Sequence, residues 1–249
     1  MNTGTFKAYV GCAGWSLSSA VHDDFPATGT HLARYASVFP AVEINTSFYR
    51  PHRAATYERW RDSVPPDFRF SAKVPKAITH EARLRGVHEA LEKFIGEVSH
   101  LEPKLGCLLV QLPPSLQYDA ATALPFFRHL RALTSVHPVC EARHATWFAP
   151  AVANALAALD VSCVLADPPV APLPETAAKV LYIRLHGAPV VYHSAYAEDF
   201  LDGLAERIKR EACGGRQVWC VFDNTASGAA VPNALSLLAR LRLAEAVPA

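Results

Sequence analysis

The stretch AVEINTSFYR, residues 41–50, begins with the apolar character of a buried strand and ends in polar groups. A short apolar run of this kind is typical of a parallel strand that is covered on both faces. Its polar members are the Glu43 carboxylate, the Asn45 amide, the Tyr49 phenol and the Arg50 guanidinium. A turn requires less polar chemistry than this, so the stretch predicts a strand that leads into a functional site.

The same apolar pattern occurs eight times along the chain. The predicted strands are AYVGCAG (8–14), AVEIN (41–45), FRFSAKV (68–74), CLLVQL (107–112), HPVCEAR (137–143), VSCVLAD (161–167), KVLYIRLHG (179–187) and QVWCVFDN (217–224). Helical patterns lie between or after them, at 29–39, 54–64, 86–101, 123–135, 150–160, 195–215 and 234–246. This alternation over about 250 residues predicts a parallel α/β fold, and specifically a (β/α)8 TIM barrel.

The main alternative fold is a doubly wound open sheet, which binds dinucleotides through a glycine-rich first turn. The first turn here is GCAGWS, residues 11–16, which has a glycine pair but lacks the third glycine and a suitably spaced acidic partner. This stretch therefore favours the barrel.

The connection between the sixth and seventh predicted strands differs from the others. DPPVAPLPETAAK, residues 167–179, is too short and too rich in proline for a full helix, so we expect an irregular loop, one that could lie over the barrel mouth. The chain has no internal repeat and no linker, which predicts a single domain over residues 1–249.

Composition limits the classes of function. The chain has 24 Lys and Arg residues against 23 Asp and Glu, so its net charge does not attract nucleic acid or an anionic membrane. Its six cysteines form no CxxC pair and lie mostly in apolar runs, which indicates buried thiols in a reducing compartment. Residues 1–10 lack the pattern of a signal peptide, and no stretch of about 18 apolar residues occurs. We therefore expect a cytoplasmic protein.

Polar residues return where the predicted strands end, which is where barrel enzymes build their active sites. These residues are Glu43, Asn45, Lys73, Gln111, Glu141, Arg143, Asp167, Arg184, His186 and either Asp223 or Asn224. Strand alternation predicts that two residues spaced two apart face the same side of the sheet. Three pairs have this spacing: Glu43 and Asn45, Glu141 and Arg143, and Arg184 and His186. Carboxylates, cations and a histidine that converge from different strands indicate a binding or catalytic site.

Eight ordered motifs give the chain a resemblance to a known family. They are GCAGWS, EINTSFYR, FRFSAKVPKAITHEARL, LLVQLPPS, CEARHATWF, ADPP, YIRLHG and VFDNTASGAAVPNALSL. Together they resemble the YecE-like family, known as domain of unknown function seventy-two, over residues 10–238. The resemblance implies a TIM barrel and no established reaction.

The resemblance also marks individual positions. The residues that match the family pattern are Glu43, Asn45, Tyr49, Arg50, Lys73, His80, Gln111, Glu141, Arg143, Trp147, Asp167, Arg184, His186 and Asn224. The chain departs from the pattern at Asp223, where relatives often have a second asparagine, and at Cys12 and Ala13, where they have a hydroxyl residue. Those departures put the corresponding amide pair and hydroxyl in doubt here.

These residue types suggest two kinds of chemistry. The guanidinium groups of Arg50, Arg143 and Arg184 and the ammonium group of Lys73 suit recognition of a phosphate or carboxylate. Acid/base roles suit Glu43, Glu141, Asp167, His80 and His186. The catalytic candidates are Glu43, Lys73, Glu141, Asp167 and His186. Lys73 could also form a Schiff base with a carbonyl substrate if burial lowers its pKa.

The remaining candidates are assigned to substrate binding. They are Asn45, Tyr49, Arg50, His80, Gln111, Arg143, Trp147, Arg184 and Asn224. The sequence thus predicts an enzyme that uses general acid/base chemistry on a polar, anionic small molecule or nucleotide-containing substrate. It names no cofactor and no oligomeric state.

Several alternatives stay open at this point. The charged residues could form a structural ion-pair layer, or the barrel could bind an anion, a nucleotide or nucleic acid without turnover. A divalent-metal isomerase or endonuclease would use ligands at Glu43, Glu141, Asp167 and His186. A binuclear metallohydrolase is disfavoured because the first strand has no histidine, and a retaining glycosidase because Gln111 stands where a carboxylate is common.

Overall fold

The computed structural model describes residues 8–174 and 178–245. The β-strands of that part are β1 (Ala8–Cys12), β2 (Ala41–Ile44), β3 (Arg69–Lys73), β4 (Leu105–Gln111), β5 (His137–Glu141), β6 (Ser162–Cys163), β7 (Leu165–Asp167), β8 (Val180–Leu185) and β9 (Gln217–Phe222). The α-helices are α1 (His31–Ala36), α2 (Thr46–Tyr49), α3 (Ala54–Asp62), α4 (His88–Val98), α5 (Ala120–Leu133), α6 (Pro150–Ala157), α7 (Glu198–Cys213) and α8 (Ala230–Glu245). Single helical turns of other types occur at Ser19–Asp24, Ala77–Glu81, Ser99–Lys104 and Ala145–Phe148.

The strands form two parallel sheets, with the orders β1-β9-β8-β7 and β2-β3-β4-β5-β6. An α/β fold with parallel sheets is thereby confirmed. Each of the eight predicted strands occurs, but the sixth is divided into β6 and β7, and only Val164 separates the two pieces. One isolated parallel bridge, from Ala13 to Glu43, links the ends of β1 and β2.

The helices bury the apolar faces that their sequences predict. In α4 the buried residues are Leu91, Phe94, Ile95 and Val98, at the spacing that puts side chains on one helical face. Helix α5 begins where the Asp119 carboxylate accepts a hydrogen bond from the Ala121 N–H at 3.1 Å, which satisfies one of the unpaired donors of the first turn.

Two apolar cores result from the two faces of the strands. The outer core lies between strands and helices, and it contains residues such as Leu185 and Phe222. The inner core consists of Ala41, Cys107, Leu109, Val139, Val164, Val180, Tyr182, Trp219 and Val221, which come from strands of both sheets. A Cβ at Gly106 would lie 2.4 Å from the Trp219 ring, so this position requires glycine for the ring to pack inside.

The structure agrees with other features that the sequence predicts. Four of the six cysteines are buried, and all six are free thiols. The described part of the proline-rich connection, 168–174 and 178–179, contains no helix or strand, while 175–177 lie outside the described residues, as does most of the amino-terminal segment 1–10. In the ranges that are described, no helix is both long and apolar enough to cross a bilayer.

Candidate functional site

The register of the parallel strands decides which polar side chains face the inner core. Aligned residues in a parallel ladder point to the same face. Leu109 of the inner core aligns with Lys73, and Val221 of the inner core aligns with Arg184. Lys73 and Arg184 therefore extend from the inner face, near the carboxyl ends of β3 and β8.

Arg184 is the centre of this site, and its side chain is fully buried. Its Nε and Nη2 atoms donate to the two oxygens of Glu43 at 2.9 and 2.6 Å, which is a bidentate pair. Its Nη1 donates to Glu141 Oε2 at 2.7 Å, and Nη2 lies 3.1 Å from Asp223 Oδ2. One guanidinium thus joins three carboxylates from β2, β5 and the end of β9.

The two carboxylates nearest Arg184 are held by additional donors. Tyr182 donates its hydroxyl to Glu43 at 3.0 Å, and that hydroxyl also lies 2.6 Å from Ser71 Oγ. Gln111 donates its amide to Glu141 Oε1 at 3.0 Å, and Arg143 forms an ion pair with the same oxygen. Because each carboxylate has several partners, this network holds its members in one arrangement.

His186 lies between two carboxylates of the network. Its Nδ1 is 3.0 Å from Asp223 Oδ2, and its Nε2 is 3.1 Å from Glu141 Oε1 and 2.6 Å from Arg143 Nη2. A guanidinium can only donate, so its contact makes Nε2 the acceptor and leaves the proton on Nδ1, which donates to Asp223. If Arg143 moved, a protonated Nε2 could donate to Glu141 instead.

The charges of the network affect one another strongly. Burial alone raises the pKa of Glu141 and of Asp223, but Arg184 reverses the effect and leaves both pKa values below their usual range, together with Arg143 at Glu141 and with the Nδ1 hydrogen bond of His186 at Asp223. Burial disfavours the Arg184 cation, but Asp223, Glu141 and Glu43 raise its pKa well above the ordinary value. These groups are therefore ionised at neutral pH.

The pKa of Lys73 is shifted in the opposite direction from that of Arg184. Burial, followed by repulsion from Arg184, lowers the pKa of Lys73 to about 8, against the attraction of nearby carboxylates. Its Nζ lies 4.1 Å from the centre of the Phe48 ring, and it has no hydrogen bond or ion pair with any other part of the chain that the structure describes. The site therefore contains a guanidinium, Arg184, that is paired with carboxylates, and an ammonium group, Lys73, that loses its proton more readily than an ordinary lysine but stays mostly protonated at neutral pH.

Four substrate-binding candidates lie on the loops that follow β2 and β3. The buried Oδ1 of Asn45 has no hydrogen-bond partner among residues 8–174 and 178–245. His80 packs edge-on against Phe48 at 4.9 Å, and its pKa is lowered by burial and by Lys73. Tyr49 is 72% exposed, and Arg50 is also exposed. His80 thus lies near Lys73 and Asn45 is partly buried, whereas Tyr49 and Arg50 are exposed to solvent.

Two predicted residues point away from the network because of strand alternation. Asp167 aligns with Leu185 of the outer core, and its Oδ2 accepts a hydrogen bond from Tyr196 at 2.7 Å. Asn224 follows Phe222 of the outer core by two positions and donates to Ser194 O and Asn233 Oδ1, each at 3.0 Å. Asp223, and not Asn224, is therefore the residue after β9 that joins the network. Asp167 lies on the opposite face of its strand from Glu141 and His186.

Trp147 is likewise separated from the network. It is buried, its Nε1 donates to Leu116 O at 2.8 Å, and its ring packs edge-on against Tyr118 at 5.0 Å. These contacts hold the loop after β4 against the loop after β5. The side chain thus anchors two loops and does not face the charged groups.

The structure brings Tyr182 and Tyr192, which the sequence did not single out, into contact with the network, and it selects Asp223 from the pair Asp223 and Asn224. Tyr182 and Asp223 join the network directly, and Tyr192 packs edge-on against His186 at 5.7 Å between ring centres. Tyr182 stands two residues before Arg184, and Arg184 stands two before His186. Strand alternation therefore predicts that the Tyr182 side chain lies on the same face as the other two. Nothing comparable marks Tyr192, which lies on the long loop after β8.

The geometry does not suit the divalent metal site that the sequence left open. Of the four candidate ligands, Glu43 and Glu141 both bind the Arg184 guanidinium, which fills the space between them, and Asp167 lies on the other face. Across the described ranges no group of three or more His, Cys, Asp or Glu side chains is arranged to hold a metal ion.

Comparison with sequence families identifies the relatives of this chain. The family described as "Protein of unknown function DUF72" matches residues 9–249. The chain belongs to this family. The DUF72 assignment agrees with the resemblance drawn from the eight motifs.

Two curated proteins are similar to parts of this chain. The chain is 36% identical over 106 residues to the UPF0759 protein YecE of Escherichia coli K12, covering 42% of this chain and 37% of YecE. It is 27% identical over 150 residues to the UPF0759 protein YunF of Bacillus subtilis 168, covering 57% of this chain and 52% of YunF. The aligned segments thus span between a third and about half of these relatives.

Solved DUF72 structures have the same fold. A DUF72 protein of Thermotoga maritima superposes with a TM-score of 0.81 at 24% identity, covering 95% of this chain and 99% of that one. A DUF72 protein of Enterococcus faecalis superposes with a TM-score of 0.78 at 22% identity, covering 94% and 95%. The likeness extends over nearly the full length of both partners.

Proposed function

We propose that this DUF72 protein is an enzyme that uses general acid/base chemistry on a phosphate- or carboxylate-bearing substrate, bound where the strands end. One observation carries the proposal: His186 lies between two carboxylates that hold the ring, and Arg143 contacts its Nε2 from the partly exposed side. A purely structural ion-pair layer needs no imidazole placed between two carboxylates and a partly exposed arginine.

The proposed site requires a closed eight-stranded barrel in one domain. Closure is supported at one seam by the parallel bridge between Ala13 and Glu43. It is supported at the other seam because β6 and β7 are separated by Val164 alone, and that residue packs in the inner core. The inner core also mixes side chains from both sheets, as expected for the filled interior of a barrel.

Arg143 is the proposed anion-binding group. Its side chain is 17% exposed, whereas Arg184 is fully enclosed and already bound to carboxylates. Only a guanidinium with free N–H groups near solvent can form a paired contact with a phosphate or carboxylate.

Binding of an anion would also change His186. The contact with Arg143 keeps Nε2 unprotonated, because both groups would otherwise direct protons at each other. An anion that draws the guanidinium outward would release Nε2 to take a proton from the substrate and share it with Glu141 Oε1, 3.1 Å away. In this mechanism the substrate's own charge makes the base available, while Asp223 fixes the ring through Nδ1.

The first test compares wild type with Arg143→Gln. Thermal unfolding is followed with inorganic phosphate, sugar phosphates, nucleotides and dicarboxylates, and each mixture is analysed by mass spectrometry for turnover. We expect at least one class to stabilise the wild type, with affinity at least about tenfold lower in Arg143→Gln, since a charged hydrogen bond is lost. Arg216→Gln is the matched control, because Arg216 is 28% exposed and pairs with Glu211 at 2.9 Å before β9.

The outcomes separate the alternatives. Equal binding by wild type and Arg143→Gln would overturn the assignment of Arg143, and the absence of any stabilising anion would overturn the substrate class. Tight binding without turnover of any bound compound would favour a non-catalytic anion- or nucleotide-binding barrel.

A further inference from the structure

Lys73 is a cation of the site that the acid/base proposal leaves without a role. It ends β3 and faces inward, and it is only 5% exposed. Burying an ammonium group is unfavourable unless a carboxylate compensates it. The three nearby carboxylates instead direct their oxygens to Arg184, which takes both oxygens of Glu43.

The surroundings of the Lys73 amine are those of a reactive group. Its Nζ lies over the face of Phe48 at 4.1 Å and has no polar partner in residues 8–174 and 178–245. The Lys73 side chain is nonetheless not fully enclosed, because 5% of the residue is exposed. An amine that is accessible, buried against an aromatic ring and not ion-paired can act as a nucleophile.

We propose that Lys73 forms an imine with the carbonyl carbon of the substrate. The inference rests on the proposed function, because it names the substrate class of that same site: a small aldehyde or ketone that also carries the anionic group bound by Arg143.

The chemistry balances without an oxidant or reductant. The Nζ lone pair attacks the carbonyl carbon, the π electron pair moves to oxygen, and that oxygen takes a proton to give a carbinolamine. The nitrogen releases one proton and the hydroxyl takes another; the carbon–oxygen bond then breaks as the nitrogen lone pair forms the C=N bond, and water leaves a protonated imine. Addition of water reverses the sequence. The protons pass through groups that already belong to the site, for which His186 and the half-buried His80 are the candidates.

The degree of ionisation supports this role. A lysine whose pKa is about 8 is partly neutral at physiological pH, whereas an ordinary lysine is almost wholly protonated. Burial is the main cause, and the guanidinium of Arg184 adds repulsion. Arg184 would therefore have two effects: it neutralises the carboxylates, and it disfavours the protonated form of Lys73.

The test is reductive trapping with defined probes. The protein is incubated with glyoxylate, pyruvate, dihydroxyacetone phosphate, glyceraldehyde 3-phosphate or pyridoxal phosphate, and sodium borohydride then reduces any imine to a stable secondary amine. Peptide mass spectrometry locates the adduct. We expect at least one probe to label Lys73 at least about tenfold faster than Lys76 and Lys93, which are exposed, with a rate that rises with a midpoint near pH 8.

Variants make the result specific. Lys73→Met should abolish the fast adduct and leave the slow labelling of exposed lysines, and Lys93→Met should leave the fast adduct unchanged. The inference is overturned if no probe labels Lys73, or if Lys73 labels no faster than Lys93.

The two proposals fail in different ways. If anions bind through Arg143 but Lys73 is not labelled, acid/base chemistry survives and the imine does not. If Lys73 is labelled equally fast in wild type and Arg143→Gln, the imine survives and the anion-binding role of Arg143 does not.

Discussion

Arg184 at the end of β8 and Lys73 at the end of β3 are two buried cations of the same interior, and the chain treats them in opposite ways. Arg184 uses Nε, Nη1 and Nη2 to bind carboxylates, and its pKa is well above the usual value. Lys73 has no carboxylate partner among residues 8–174 and 178–245, and its pKa is lowered to about 8. The difference teaches that a buried charge with complete partners holds a framework, whereas one without partners costs stability and becomes reactive.

The largest expected effect comes from removing the paired cation. Arg184→Met should lower the free energy of unfolding by about 3–5 kcal/mol, because carboxylates of Glu43, Glu141 and Asp223 would stay buried without their shared partner. Urea unfolding at pH 7 measures it. Arg216→Met, which removes a partly exposed pair with Glu211, should cost less than about 1 kcal/mol. A loss of equal size in both variants would remove the distinction between framework and surface ion pairs.

Removing the Lys73 ammonium should change the free energy of unfolding in the opposite direction, that is, raise it. The pKa of Lys73 is about 8 when folded and about 10.4 when unfolded, so the unfolded state binds more protons between these values and stability rises with pH there. Below pH 8 the full cost of the buried ammonium is present. Lys73→Met should therefore stabilise the protein by about 1–3 kcal/mol at pH 7, and the gain should shrink as pH approaches about 10.

Urea unfolding across pH 7–10 checks this prediction, with Lys93→Met as the control at an exposed position. If Lys73→Met were destabilising at pH 7, Lys73 would belong to the framework with Arg184. The unpaired amine would then need another explanation.

The smallest effect concerns a carboxylate outside the network. Asp167→Asn should cost at most about 1 kcal/mol, because an amide oxygen can still accept the Tyr196 hydroxyl. Asp223→Asn should cost more, since it removes a charge that faces Arg184 at 3.1 Å. Thermal unfolding of the two matched variants makes the comparison, and a larger loss in Asp167→Asn would contradict the assignment of inward and outward carboxylates.

The strands were predictable because their residues are apolar for a simple local reason. A strand covered on both faces excludes polar side chains until its end, so all eight segments could be located from their local runs of apolar residues. The break at Val164 could not be located in this way, because Val164 is as apolar as its neighbours and only the pairing partners on each side distinguish β6 from β7.

The candidate residues were predictable in part. Glu43, Lys73, Gln111, Glu141, Arg143, Arg184 and His186 stand at strand ends and all extend from the inner face. Asp167 and Asn224 also stand at strand ends, but they point the other way. Alternation relates residues within one strand, and it does not say which of the two faces is the inner one.

The amino-acid sequence alone determined the α/β class, the strand positions, the family and the supply of charged groups at the strand ends. Tertiary structure alone decided that Asp223, and not Asn224, joins the network, that Arg184 binds three carboxylates and that Lys73 binds none within the described part of the chain. The physical reason is that strand position follows from local apolar character, whereas the partner of a buried charge depends on register between strands distant in the chain. Charge pairing, and with it the reactivity of the site, is therefore a property of the assembled interior.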